Sequence, residues 1–383
     1  MRPDPRQQTL RQELTQRAAI CLISLGVLCV GALAAALALL VAMRDMPALP
    51  AVPASVALAL CLLLTARLGR WLWVPAAVDR GIPLSGSCAP GFRRRIDRLC
   101  ERLGARRVHD IEVTPDINAA VVCRPAWGLI GPMRTTLLVG IPLAHSLTAP
   151  QLAAVLAHEL AHLAAQRNGA EAWRAHLRTW WLRCYDRIDE DSSWPGAIAR
   201  RLLDATARID LHQSLQLSRL DEFEADALAA RAVGKHALAS ALLEVAMKDR
   251  FLTENYWRKV MDQAHHRRRP SFRPFRDMGF GMQAGFARQD ALAGLRDHLS
   301  DGSLTGDMDT HPCLAERLAA LRIDDACGQH RQSAAPSAGP SAAEHYFASV
   351  LPALSLTFDR MWWHASAHDW RHRYSSACGA PDA

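Results

Sequence analysis

A pair of histidines one helical turn apart places the tightest constraint on how this chain can fold. The sequence His-Glu-Leu-Ala-His at 158–162 lies within residues 152–165, a run rich in strong helix formers and free of Gly and Pro. On a helix, residues four apart differ by about 40° around the axis, so both imidazoles point the same way. The spacing therefore predicts a helix that carries His158 and His162 on one face.

Two neutral imidazoles on one helical face can hold a zinc ion. Zinc accepts nitrogen ligands, and an open coordination position calls for a nearby carboxylate base. Glu159 follows the first histidine and is placed to take a proton from a metal-bound water. The alternative is a helix that carries two histidines by chance. The carboxylate beside them favours the metal site.

Further carboxylates stand downstream, in the stretch Ser218–Asp226. A catalytic zinc normally takes three protein ligands and a water, and His-His-Glu is an established set. Glu222 and Asp226 are four residues apart and share one helical face, whereas Glu224 lies off it. One of the pair can bind the metal while the other accepts a hydrogen bond from a ligand histidine. The alternative is a solvated acidic face.

Four motifs in the same order give the chain a resemblance to a known family. They are His-Glu-Leu-Ala-His at 158–162, Ser-Arg-x-x-Glu-x-x-Ala-Asp at 218–226, His-Pro followed by Arg at 311–317, and Asn-Ala-Ala-Val at 118–121. With these four motifs, the chain resembles the membrane zinc metallopeptidases that include the HtpX heat-shock protease and the type I CAAX prenyl endopeptidase. The resemblance covers about residues 81–325. The last motif departs from the family pattern, which has Ala where this chain has Val121.

The resemblance implies one zinc ion per chain and assigns the first roles. His158, His162 and Glu222 would bind the metal, and Glu159 would be the catalytic base. Asp226 would accept a hydrogen bond from the nitrogen of a ligand histidine that does not face the metal. This choice of Glu222 over Asp226 as the metal ligand comes from the family pattern, because helical spacing alone allows either.

The resemblance also implies roles for residues further from the metal. His311 would assist at the oxyanion and Arg317 would support the site. Asn118 and Ala119 would lie on a substrate-facing edge strand. The fold expected from the family is α+β, a mostly helical zincin-like metallopeptidase domain with a small antiparallel sheet.

Two uncharged runs lie near the amino terminus, at residues 18–43 and 46–66. About 20 apolar residues cross a bilayer as a helix, so both runs are long enough, and we expect a transmembrane helical hairpin ahead of the peptidase. Prolines at 47, 50 and 53 are expected to shorten the second helix. The alternative for the second run is a hydrophobic helix packed on the peptidase.

Basic side chains flank both outer ends of this hairpin. They are Arg2, Arg6, Arg11 and Arg17 before it and Arg67, Arg70 and Arg80 after it. The positive-inside rule then predicts a multi-pass protein of the cytoplasmic (inner) membrane, with membrane lipid around the hairpin and the peptidase domain facing the cytoplasm. Ten scattered cysteines without a CxxC pair agree with a reducing compartment. A net charge of +7 without a nucleic-acid motif argues against nucleic acid as a partner.

Between and after the motifs, the pattern predicts the remaining elements. We expect a basic helix at 92–103, short antiparallel strands at 111–115, 118–125 and 135–141, and an exposed edge that pairs with an extended peptide. Residues 227–247 predict a helix with Gly234 inside it. Residues 167–217 contain no run approaching 18 apolar residues, so soluble or membrane-surface helices are expected there.

The sequence thus predicts four segments. They are residues 1–80 with a cytoplasmic tail and two membrane helices, a metallopeptidase domain at 81–330, a linker at 331–341, and a Trp-rich helical tail at 342–383 that docks on the peptidase or on another surface. The predicted function is a membrane-anchored zinc endopeptidase that hydrolyses protein or peptide substrates, and membrane-protein quality control is its expected role. The alternatives are a non-catalytic membrane scaffold, with zinc structural or absent, and a hydrolase of non-peptide amides.

Overall fold

A computed structural model describes residues 5–45, 47–74, 81–164, 166, 168–287, 290–291, 293–295, 311–323 and 339–378. Most of the predicted linker lies outside the described residues, as do Arg2 and Arg80. The helices are α1 Pro5–Ala42, α2 Ala48–Leu72, α3 Pro90–Leu103, α4 Ile141–Ser146, α5 Ala149–Ala164, α6 Gly169–Asp189, α7 Trp194–Val233, α8 Lys235–Phe251, α9 Trp257–Asp262, α10 Met278–Gly285, α11 Leu314–Ala320, α12 Ala342–Phe347 and α13 Leu351–Cys378. The strands are β1 Ile82–Pro83, β2 Asp110–Thr114, β3 Ala119–Pro125 and β4 Met133–Gly140.

The chain divides into two compact units. The first comprises Met1–Val78, Cys123–Arg134 and Asn168–Leu220, and the second comprises Asp79–Val122, Thr135–Arg167 and Asp221–Ala383. Helix α7 begins in the first unit and ends in the second.

The first unit is built on the two apolar helices α1 and α2, which pack on each other and on α6. Pro5–Ala42 and Ala51–Leu72 are long and apolar enough to cross a membrane, and no other helix in the described ranges meets that test. Helix α2 is longer than the prolines led us to expect. It begins at Ala48, so Pro50 lies in its first turn, where backbone N–H groups have no helical partner anyway, and Pro53 is accommodated inside the helix.

Helices α6 and α7 cover the polar end of this apolar pair. Their shared core contains Ala18, Leu22, Leu25, Leu68, Trp71, Trp181, Cys184, Ile188 and Ala207. Within that core, the buried Asp210 on α7 accepts hydrogen bonds from Arg17 Nε at 2.6 Å and from Trp181 Nε1 at 2.9 Å. A buried carboxylate requires such partners, so this pair ties the start of the uncharged run on α1 to α7.

The sheet in the second unit is mixed, and the prediction of an antiparallel sheet was wrong. Its strand order is β1-β2-β4-β3. β1 is antiparallel to β2, but β2 is parallel to β4, with Asp110 opposite Thr136 and Thr114 opposite Gly140. β4 is largely buried and takes the central position, whereas β3 is partly exposed and lies at the edge. Alternation along a strand predicts which face is buried and does not predict the order of strands.

Gly234 interrupts the helix that was predicted across residues 227–247. It has φ of +96°, so α7 ends at Val233 and α8 begins at Lys235. A positive φ is open to glycine at little cost and ends a right-handed helix. Helix α8 then packs against α5 and buries Leu238, Ala241 and Leu243.

The described part of the carboxyl-terminal segment packs against the rest of the second unit. Ser341 forms an isolated β-bridge with Thr148, and Ala342 N donates to Leu147 O at 2.7 Å. On α13, the buried Trp370 donates from Nε1 to Arg267 O at 2.9 Å. These buried anchors make α12 and α13 part of the folded unit.

Candidate metal centre

The helix that carries His158 and His162 forms where the sequence predicts it. Helix α5 begins at Ala149, and Thr148 N donates to Gln151 Oε1 at 3.0 Å, which is one half of a capping box. Apolar residues cover most of its surface and bury it in the second unit. The rings of His158 and His162 lie side by side, with centroids 4.9 Å apart and planes nearly perpendicular.

Helix α7 brings a carboxylate to this pair. Glu222 Oε2 lies 3.3 Å from His158 Nε2, and Glu222 Oε1 lies 3.5 Å from His162 Nε2. One ligand atom from each of the three residues can be chosen so that all lie within 4.8 Å of one another. Glu222 is buried, so its charge requires cationic or hydrogen-bonding partners. The three side chains therefore converge as a metal-binding set would.

Asp226 lies one turn further along α7, on the far side of the first histidine. Its Oδ1 is 2.9 Å from His158 Nδ1. A hydrogen bond there keeps the proton on Nδ1 and turns Nε2, the other ring nitrogen, towards Glu222. Arg317 holds the same carboxylate through both of its oxygens. The His158 imidazole is thus oriented by a carboxylate that is itself fixed.

His311 approaches Glu222 from the loop that precedes α11. Its Nδ1 lies 3.0 Å from Glu222 Oε1, and its side chain is 67% exposed. Helix α11 begins three residues later with a complete capping box between Cys313 and Glu316, and it carries Arg317 inward. The exposed imidazole and the buried guanidinium therefore reach the same group of side chains from one short segment.

The pKa values in this cluster are strongly perturbed. Burial would raise the pKa of Glu222, but hydrogen bonds with His158, His162 and His311 outweigh it and lower that pKa well below its usual range. Burial would lower the pKa of His158, but hydrogen bonds with Asp226 and Glu222 raise it to about 9. The carboxylates thus create a negative environment around the ring nitrogens, which suits a cation.

Two observations fit this cluster to a divalent metal ion. Glu222 Oε2 is buried, and although it lies 3.3 Å from His158 Nε2, it accepts no hydrogen bond of good geometry from the described residues. With the histidines neutral, the form in which they bind a metal, Glu159, Glu222 and Asp226 carry three negative charges against one positive charge on Arg317, which leaves a formal charge of minus two. A divalent cation would neutralise that charge and give Glu222 Oε2 a partner.

Glu159 is set apart from the other carboxylates by its environment. Burial raises the pKa of this side chain, and only part of the increase is offset by the charges of His158 and His162. A carboxylate with a raised pKa is a better general base near neutral pH than a solvated one. The role of Glu159 as the base stays a prediction, and its buried position is compatible with that role.

The two residues predicted to bind substrate lie at the start of β3. Asn118 is exposed, and its main-chain oxygen accepts a hydrogen bond from Gly140 N at 2.7 Å. Ala119 is buried, so any contact of this residue with a peptide would be through its backbone. Because β3 is at the edge of the described sheet, one of its sides is open for a further strand.

The sequence did not reveal how Arg317 acts on the cluster. The resemblance gave it a supporting role, but its two hydrogen bonds with Asp226, 91 residues away in the chain, emerge from the fold. Its Nη2 also lies 3.3 Å from His158 Nδ1. No local pattern predicts a contact of this sequence separation.

Comparison with known families agrees with this arrangement. The model of peptidase family M48 matches residues 126–324, which is more than half of the chain. The chain belongs to this family. No curated protein and no solved structure gives a match. The M48 match confirms the resemblance to HtpX and the CAAX prenyl protease and indicates a metal-dependent peptidase.

The M48 match includes every residue of the metal cluster, from His158 to Arg317. It begins after residues 118–121, so the Asn-Ala motif precedes it. Helices α1 and α2 lie before the matched region, and α12 and α13 lie after it. The family match therefore gives no information about these four helices.

Proposed function

We propose that this chain is a membrane-anchored zinc endopeptidase that hydrolyses peptide bonds in protein substrates. The observation that carries the proposal is the convergence of His158, His162 and Glu222 within 4.8 Å, with Glu159 on the same helix. A set of two imidazoles and one carboxylate is a common donor set for catalytic zinc. A structural zinc site would be closed by a fourth protein ligand and would not need a base.

Each residue of the cluster has a separate task in this proposal. A zinc ion bound by His158, His162 and Glu222 would supply a Lewis acid that polarises the peptide carbonyl and acidifies water. Glu159 takes the proton of the attacking water and delivers it to the leaving amine. Asp226 orients His158 through Nδ1, and Arg317 keeps Asp226 ionised and in place. In this proposal the exposed His311, whose Nδ1 faces Glu222, would donate to the oxyanion of the substrate from its other ring nitrogen.

Replacing Glu159 by Gln tests this mechanism directly. The variant loses the base and keeps all three metal ligands, so we expect bound zinc at the wild-type level and loss of casein cleavage in detergent. Glu224→Gln is the matched control, because it makes the same change in a residue outside the metal-binding set, and it should cleave normally. Wild-type cleavage by Glu159→Gln would show that the proposed mechanism is wrong.

Helices α1 and α2 would form a transmembrane hairpin. Both are long and apolar enough to span, and their exposed side chains include Ile23, Val27, Val30, Val56 and Leu63. The basic residues at both outer ends favour a hairpin with those ends in the cytoplasm. A position next to the inner surface would give the enzyme access to membrane proteins and supports a role in their quality control.

An apolar stripe on the first half of α7 supports contact with lipid. Trp194, Ile198 and Leu202 follow at intervals of four residues and so lie within about 80° of one another on the helix. All three are exposed, Trp194 by 72% and Leu202 by 75%. Just before the stripe, Asp191 accepts hydrogen bonds from Arg67 and Trp71 at the end of α2. An exposed stripe joined to the end of a spanning helix suits a helix in the membrane interface.

Orientation can be tested with Cys88, which is exposed on the second unit. In a variant that retains only this cysteine, we expect an impermeant maleimide to label the protein only after the cells are permeabilised. Labelling of intact cells would place the peptidase outside and overturn the cytoplasmic orientation. Proteins that accumulate in cells expressing Glu159→Gln would then identify candidate substrates.

A further inference from the structure

A cavity of about 580 Å³ lies beside the start of the edge strand β3. Residues 115–118, which lead into β3, form one wall. Leu252 and Thr253, at the end of α8, form a second wall, and Met361 and Trp362 on α13 form a third. The cavity lies entirely within the second compact unit.

We propose that this cavity is a subsite for a large apolar side chain of the peptide substrate, and that helix α13 sets its size. This inference rests on the proposed endopeptidase function, because it takes β3 as the strand along which the substrate lies. It adds a substrate class, extended peptides with an aromatic or large aliphatic residue at one fixed position. It also gives the carboxyl-terminal helix, which lies beyond the matched family region, a task in recognition.

The chemistry of the lining favours an apolar guest. The buried side chains of Leu252, Phe275 and Phe358 contribute to the lining. Asp116 is the one charged residue among the described residues that line the cavity. Cavities of about 300 to 1,000 Å³ with mostly apolar walls and few polar groups are typical of ligand sites. An aromatic side chain would bury its whole ring there.

The position of the cavity favours a peptide over a free small molecule. An extended chain that pairs with the open side of β3 advances about 3.3 Å per residue and turns alternate side chains towards the protein. Such a chain continues past Ala119 to Asn118 and residues 115–117, which border the cavity. One side chain of the peptide therefore meets the opening while its backbone is still guided by the strand.

The walls are held in place by contacts that Met361 does not share. Asp359 on α13 accepts hydrogen bonds from Phe275 N at 2.9 Å and Arg276 N at 3.3 Å, and the rings of Phe275 and Phe358 are 5.4 Å apart. By contrast, Met361 is 50% exposed and turns a flexible apolar side chain into the cavity. Its neighbours fix the helix, and Met361 itself is free to contact a guest.

The backbone of the second wall has a geometry often found at functional sites. Leu252–Tyr256 forms a turn of π-helix between α8 and α9. Such turns cost helical hydrogen bonding and occur frequently where a helix contributes to a binding site. Here the π-helical turn presents Leu252 and Thr253 to the cavity.

Peptide binding to the Glu159→Gln protein tests the inference without requiring cleavage. The probes are fluorescein-labelled alanine pentapeptide amides that carry one Phe at each position in turn, measured by fluorescence anisotropy in one detergent. We expect Phe at one position to tighten binding about tenfold over the all-alanine peptide. Met361→Trp in the same background fills the cavity and should remove that preference. Arg360→Trp, the same replacement at a neighbouring position outside the lining, should keep it.

Equal binding of all the peptides, or an unchanged preference in Met361→Trp, would overturn the inference. Casein digestion by proteins that retain Glu159 separates this failure from failure of the proposed function. Cleavage whose sites are unchanged by Met361→Trp refutes the cavity and leaves the endopeptidase standing. A Phe preference in binding, without casein cleavage by the wild type, supports the cavity and refutes the endopeptidase.

Discussion

Arg317 grips Asp226 with two parallel hydrogen bonds, from Nε at 2.8 Å and from Nη2 at 2.7 Å. A planar guanidinium matches a carboxylate in this way, and the pair is nearly buried. Because Asp226 in turn contacts His158 Nδ1, a displacement of Arg317 would change the orientation of this proposed metal ligand through Asp226 as well as through its own contact with the ring. We therefore propose that Arg317 is a positioning residue.

Arg317→Lys should weaken zinc binding although it keeps the charge. A lysine ammonium cannot make the paired contact, so Asp226 would lose its fixed plane and His158 its orientation. Losing such support typically costs about 10- to 100-fold in metal affinity or activity. Competition with a chromogenic chelator measures the affinity. Arg322→Lys, in an exposed position just after α11, is the control and should bind zinc normally.

The two glutamates of α7 should respond differently to removal. Glu222→Ala is expected to lose zinc, because it deletes one of three converging ligands, whereas Glu224→Ala should retain it. Asp226→Asn should give an intermediate result, since it weakens the support of His158 and deletes no proposed ligand. Metal content of the purified variants decides the matter. Zinc loss from Glu224→Ala in place of Glu222→Ala would refute the ligand assignment.

Gly140→Ala should damage the fold beside β3, the proposed substrate strand. A Cβ atom at this position would lie 1.7 Å from Asp116 O and 2.8 Å from Asn118 O, so the backbone that leads into β3 would have to move. Such overpacking costs about 1–3 kcal/mol or more. Thermal unfolding should show the loss, and peptide binding should weaken as well. Gly86→Ala, where nothing lies within 4 Å of the added atom, should leave both unchanged.

The apolar stripe of α7 should lie in lipid. Leu202→Cys labelled with the environment-sensitive fluorophore NBD, in full-length protein reconstituted into phosphatidylcholine and phosphatidylglycerol bilayers, is expected to emit at short wavelength and to be quenched by doxyl-labelled lipid. Leu211→Cys is the matched control, because Leu211 is also exposed but lies on a different face of the helix. Water-like emission from both positions would refute the interfacial location.

Acid should loosen the link between α2 and the α6–α7 connection. Hydrogen bonds from Ser193, with further support from Trp71 and Arg67, lower the pKa of Asp191 to about 2. An unfolded aspartate has a pKa of about 3.9, so the stabilisation is complete above that value and is lost as the pH falls towards about 2. Asp191→Asn should remove this part of the decline, measured by thermal unfolding between pH 5 and pH 2. An identical decline in both proteins would contradict it.

Local spacing predicted the metal cluster because its key residues repeat within single helices. His158 and His162 share one turn of α5, and Glu222 and Asp226 share one turn of α7. The same spacing left Glu222 and Asp226 interchangeable. In the structure Glu222 faces Nε2 of His158 and Asp226 faces Nδ1, which distinguishes the two carboxylates. This difference depends on how α5 and α7 pack. The periodicity of a sequence does not predict contacts between two helices.

The errors of the sequence-based fold have equally specific causes. A single glycine is tolerated inside a helix, so the sequence around Gly234 indicated one continuous helix. The positive φ of Gly234 shows that α7 and α8 are separate. The sheet places β4 between β2 and β3, and the alternation of side chains along a strand contains no information about its neighbours. β1 has two residues and follows a stretch without strand periodicity, so no pattern could predict it.

The open edge of β3 also bears on how the protein behaves at high concentration. A strand whose backbone N–H and C=O groups face outwards will pair with any extended chain, including the same strand of a second molecule. Here the exposed length is short, because the charged Arg124 and then Pro125 come at its end. Self-association through this edge should therefore be weak and reversible, and an added strand-forming peptide should suppress it.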